Sequence, residues 1–121
     1  RRALHAALPH GLDGLRPLTA LALVTATAAE PSLGRLLADD LLAALDPAEP
    51  FHRELAETAL AYLDHGGRVE PAAAALHVHP NTVKYRLRRL QEITGRTPAA
   101  EGPDAVASAA HWWWALHTWL Q

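Results

Sequence analysis

An all-α fold is what this sequence predicts, on three observations. Proline and glycine divide it into blocks of helical length. Within each block the apolar residues recur every three or four positions, and no run of β-branched or aromatic residues alternates with period two. The blocks fit a domain of five or six helices.

Residues 14–29 form the first apolar helical stretch, broken by Glu30-Pro31. Ser32 is a good N-cap for a helix over 33–45, whose Leu33, Leu36, Leu37, Leu41, Ala44 and Leu45 follow helical spacing; Asp46-Pro47 ends it. The block 51–65 places Leu55, Ala59, Tyr62 and Leu63 on one face, and Gly66-Gly67 supplies the stop. A helix rich in small residues follows, Ala72 to Ala75 closed by Leu76, then a three-residue turn of His77, Val78 and His79. Pro80 opens the next helix, where a missing N–H is harmless because the first turn's amides have no acceptor within the helix. After Gly95 the chain loops through Pro98 and Pro103, and Asp104 is placed to cap a last helix ending near Leu120.

The 121 residues suit one domain with a real core, or one domain with a fragment of a neighbour. Starting at Arg1 without methionine, the chain is expected to be a piece of a longer protein. No cysteine is present, which removes disulfides and thiolate metal sites and suits a reducing cytoplasm. The most apolar run, Leu18 to Ala29, carries three threonines and is shorter than the ~20 residues that span a bilayer, so no membrane partner is expected.

The net charge of −2 hides a division. From Arg68 to Arg96 six basic residues face two acidic ones, whereas the remainder has five basic and eleven acidic. A positive field confined to one segment turns one face toward a polyanion and leaves the other for protein partners.

That segment has the form of a helix-turn-helix, centred on Ala73 to Leu90. The alanines allow close approach of the second helix, and Val78 is expected to plug the corner. At 100° per residue, Val83, Leu87, Leu90 and Thr94 make an inward stripe, while Asn81, Lys84, Tyr85, Arg88 and Glu92 point outward. In many such motifs the first turn position is a glycine with φ > 0; here it is His77, which would carry strain in that geometry.

The stretch LHVHPNTVKYRLRRLQEITG, with AETALAYLDHGGRVEPAAAAL before it, resembles the C-terminal helix-turn-helix of the PucR family of bacterial transcription regulators, which includes purine-catabolism and sugar-diacid regulators. The core of the resemblance is H-x-N-T-V-x-Y-R-L-x-R-L, His79 to Leu90. The resemblance implies sequence-specific binding of double-stranded DNA, as the output module of a cytoplasmic regulator that acts as a homo-oligomer and whose signal is sensed by an upstream domain. On this division, residues 1–31 are a helical remnant or linker from that upstream domain, and 32–121 are the DNA-binding domain with its motif at about 70–95. The bland alternative makes the first thirty residues simply the first helix of one compact bundle.

Roles follow from position. His79, Pro80, Asn81, Lys84 and Tyr85 lie on the first turns of the second helix, the part that reaches base edges in the major groove. Asn81 suits bidentate pairing with adenine and Lys84 donation to guanine, whereas Thr82, Arg88 and Arg89 are placed for phosphates. Arg86 sits at the core's edge and is ambiguous. The rival function is a helical protein-interaction or dimerisation module whose basic helix meets an acidic partner or stays solvated.

Other constellations are less specific. His77 and His79 are two apart in a turn and His111 and His117 six apart on a helix, so no His-x-x-x-His clamp exists and no metal or other cofactor is expected. No nucleophile has a base at useful spacing and no glycine-rich phosphate loop occurs, so no catalytic residue is assigned and the chain is not read as an enzyme. In AAHWWWALHTWLQ, Trp112, Trp113, Leu116, Trp119 and Leu120 share a broad core face, and Trp114 points away from it, where it is expected to contact a second protomer or the upstream domain.

Overall fold

The computed structural model describes residues 29–121. The stretch 14–28, expected to be helical, and most of the division proposed for 1–31 lie outside the described residues. Five helices make up the described part: α1 (Pro31–Leu42), α2 (Pro50–Asp64), α3 (Val69–Leu76), α4 (Pro80–Thr94) and α5 (Ala105–Trp119). The fold is all-α. None of these helices is long and apolar enough to cross a membrane.

Each helix starts and stops where local chemistry requires. Proline stands in the first turn of α1, α2 and α4, where its fixed φ favours the helix and its absent N–H costs nothing. Helix α2 ends in paired bonds from Gly66 N to Leu63 O at 3.1 Å and from Gly67 N to Tyr62 O at 2.8 Å. That reversal needs the left-handed φ of +75° and +71° that the two glycines supply. Two expected caps are corrected. Pro31 rather than Ser32 begins α1, so Ser32 falls inside the first turn, and Asp104 flanks α5 without a side-chain cap bond.

Helix α2 is the hub. It packs on α3 and α4, which also pack on each other, and on α5, which carries α1 on its other side. The main core joins Leu42, Leu45, Leu55, Ala59, Leu90, Trp112 and Leu116, all buried, so the last helix and the basic helix share one apolar interior. Burial of this kind contributes about 25 cal/mol per Å² of apolar surface, the main force holding α4 in place. Ala72, Ala73 and Val83 are buried under the α3–α4 corner, apart from that cluster. Val78 is half-buried there.

The inward face of α1 differs from the expected stripe. Gly34, Ala38, Leu41, Leu42 and Leu45 face the core, while Ala44 is exposed and Leu33 and Leu36 are 42% and 66% exposed. The stripe is rotated by about one residue because Gly34 lets α5 come close: a Cβ there would lie 2.8 Å from Trp114 Nε1 and still nearer Thr118 Oγ1. Trp114, expected to point away from the core, is half-buried against Gly34, with its indole nitrogen enclosed and unbonded. α5 is covered on two sides, by α1 and by α2, so the face opposite Trp112 also meets protein. Gly34→Ala is therefore expected to overpack the α1–α5 crossing and lower stability by about 1–3 kcal/mol, measured by denaturant unfolding. An unchanged midpoint would show that the crossing yields freely.

Candidate nucleic-acid interface

The corner between α3 and α4 is built on one strained residue. His77 sits at φ 58° and ψ 42°, the left-handed region, and is the sole non-glycine residue with positive φ among those described. The conformation lets His77 N bond Ala74 O at 3.2 Å and Val78 N bond Ala73 O at 3.0 Å, satisfying two carbonyls at the end of α3. A β-carbon in this region costs about 1 kcal/mol. His77→Gly is expected to relieve it and, after the added chain entropy of glycine is subtracted, to raise stability by up to about 0.5 kcal/mol. Thermal unfolding checks this; a lower melting temperature would mean that the histidine ring makes a compensating contact.

His79 then turns the chain into α4. Its backbone is extended and its Nδ1 accepts the Asn81 N–H at 3.0 Å, so the imidazole serves as the N-cap. Nδ1 stands beside Cγ as the carboxylate oxygen of aspartate does, which is why histidine can fill a position usually taken by Asp, Asn, Ser or Thr. Pro80 and Thr82 are half-buried beside it.

Helix α4 divides cleanly into two faces. Val83 and Leu90 are fully buried, with Leu87 and Thr94 half-buried on the same side. Asn81, Lys84, Tyr85, Arg88 and Arg89 are exposed. Asn81, Lys84 and Arg88 follow i, i+3, i+7 spacing, so they form a single outward ridge, with the 49% exposed Tyr85 beside it. The sequence pattern placed these residues on the outside, and all of them, like His79 at the helix start, are exposed.

The cations on this helix have different partners. Arg89 pairs with Glu92 at 3.2 Å, and both side chains are about half exposed. Such a pair is worth at most about 1 kcal/mol in water and yields readily to a stronger anion. Arg96, beyond the helix, holds Asp40 of α1 at 2.9 Å. Lys84 and Arg88 form no ion pair among the described residues. They present free charge on the outward ridge.

Two features escaped the sequence pattern. The capping role of His79 is one; its signal was the extended His followed by Pro at the first helical position. The other is Arg86, which turns inward and donates from Nη1 to Thr58 Oγ1 on α2 at 3.3 Å. Away from this surface, burial first and the charge of Glu101 second push the Tyr62 phenol above its ordinary pKa. Trp113 Nε1 donates to Asp64 Oδ1 at 2.9 Å, and the Trp113 ring stacks on His117. The hydrogen bond ties α5 to the end of α2, and the stack lies within α5, both on elements other than the motif.

Comparison with known proteins agrees with the geometry. Residues 55–110 match the PucR C-terminal helix-turn-helix domain. The transcriptional activator PmfR of Paenarthrobacter nicotinovorans is 35% identical over 83 residues, 69% of this chain and 17% of that protein. Uncharacterised proteins of Mycobacterium tuberculosis and Mycobacterium bovis are 59% identical over 44 residues, 36% of this chain and 11% of theirs. The matches thus span only a small part of the length of these curated relatives. No solved structure matches.

Proposed function

Since residues 55–110 belong to the PucR C-terminal helix-turn-helix family, we propose that this domain binds double-stranded DNA sequence-specifically, with α4 as the recognition helix in the major groove. The observation that carries the proposal is the outward ridge of α4, where Asn81, Lys84 and Arg88 stand exposed in line and both cations lack an ion pair among the described residues. Asn81 and Lys84, on the first turns, read base edges as a bidentate amide and a point-charge donor. Thr82, Arg88 and Arg89 hold phosphates, and Tyr85 lies against the backbone beside them. His79 and Pro80 fix the start of the helix at the base-reading end.

The role of Arg89 includes an exchange. Its exposed pair with Glu92 gives way to a phosphate oxygen, because a charge-assisted bond to the DNA also releases condensed counterions. The domain acts as the output module of a cytoplasmic regulator, working as a homo-oligomer under the control of a sensory region elsewhere in the longer protein.

Salt separates this function from a protein-interaction role. Duplex binding followed by anisotropy is expected to weaken steeply between low and moderate salt, and Arg88→Ala to flatten the log–log slope by about 1 on every sequence. A chain that binds no duplex at low salt would refute the proposal.

A further inference from the structure

Thr58 is the one polar side chain among the described residues that is fully buried. Its hydroxyl is used in both directions: it donates to Glu54 O within α2 at 2.8 Å and accepts from Arg86 Nη1 of α4 at 3.3 Å. A half-buried guanidinium is therefore spent on a neighbouring helix, in a segment whose other free cations face out.

The helical angle makes the placement informative. At 100° per residue, Lys84 and Arg88 each lie about 160° around α4 from Arg86, and Asn81 about 140°. Arg86 is almost diametrically opposite the outward ridge. Held to Thr58, it does not reach the phosphates that the ridge would touch.

Apolar packing at Val83 and Leu90 keeps α4 on the domain but is non-directional, so it tolerates small rotations about the helix axis. A hydrogen bond has a direction and selects one rotation. Base contacts need that selection, because a recognition surface must be held within about 10–20° of its productive orientation.

We propose that Arg86 is a positioning residue: through the buried hydroxyl of Thr58 it fixes the rotation of α4, and so the aim of Asn81 and Lys84, without contacting DNA. The inference rests on the DNA-binding function given above and deepens it. Its consequence is that sequence preference depends on a residue of α2 that carries no charge and faces away from the duplex.

The test uses the full chain, a duplex selected by that chain from a random pool, and a random duplex of equal length. Thr58→Val keeps the shape and removes the hydroxyl; Arg86→Ala removes the donor; Thr58→Ser keeps the hydroxyl and removes the methyl. Thr58→Val and Arg86→Ala should each reduce the preference for the selected duplex about ten-fold, and the double variant should be no worse than either. Random-duplex affinity and salt slope should stay unchanged, and Thr58→Ser should keep the preference. The inference is overturned if Arg86→Ala lowers the salt slope by about 1 while Thr58→Val is silent, since Arg86 would then be a phosphate contact. It is equally overturned if folded Thr58→Val and Arg86→Ala both retain full preference. If the unsubstituted chain binds neither duplex at low salt, the DNA-binding function itself falls, and this inference with it.

Discussion

Asn81→Ala and Lys84→Ala are each expected to cost about 1–3 kcal/mol on the preferred duplex, roughly 5- to 150-fold in affinity, and to relax the choice of base at one position. Both side chains are exposed on the outward ridge, so neither substitution removes core packing. Their unfolding free energies should stay within about 0.5 kcal/mol of the unsubstituted chain. The two variants differ in a second respect. Lys84→Ala removes a charge and weakens random duplex as well, whereas Asn81→Ala leaves random duplex alone. Anisotropy on preferred and random duplexes measures both effects. Unchanged binding of Asn81→Ala to the preferred duplex would withdraw its role as a base reader.

Leu90→Ala has the opposite profile. Leu90 is fully buried where the inward face of α4 enters the main core, and truncating it leaves a cavity worth about 2–5 kcal/mol. Against a domain stability of about 5–15 kcal/mol, that loss is a large fraction. Denaturant unfolding should show a lower midpoint with little change in slope, and duplex binding should disappear at the temperature where the variant unfolds. Below that temperature, binding should recover toward the unsubstituted value, since Leu90 touches no ligand. The two substitutions on one helix thus separate holding the surface from being the surface.

The sequence determines some of these helices more openly than others. On α4, one uninterrupted apolar stripe faces a charged ridge, and a 100° step per residue fixes which side chains oppose which; Val83 and Leu90 are buried and Asn81, Lys84 and Arg88 exposed as that step requires. The stops at Gly66-Gly67 and Gly95 were equally readable, because a left-handed residue ending a helix favours glycine. The strain at His77 was visible as a condition, and the observed φ of 58° meets it.

Helix α1 was harder for a physical reason. Leucine occupies positions around much of its circumference, so the pattern does not say which face is turned inward, and the choice was made by Gly34 and the bulk of Trp114 opposite it. Periodicity sees a glycine as an absence of side chain. Close approach of two helices makes it the most demanding position of the crossing. Arg86 was ambiguous for a related reason: its angle put it at the core's edge, and only a partner 28 residues away on α2 decides that it turns inward. The angle of a residue on its own helix is local information, whereas its hydrogen-bond partner is a tertiary fact.

The proposed contact of the N-terminal part of α4 with DNA has a direct readout in solution. Backbone amide chemical shifts of the chain, followed while a preferred duplex is added, test it most directly. The largest shifts should fall between His79 and Arg89, with those of α1 and α5 left almost unchanged. Shifts centred on α1 or α5, with the first turns of α4 unaffected, would contradict it.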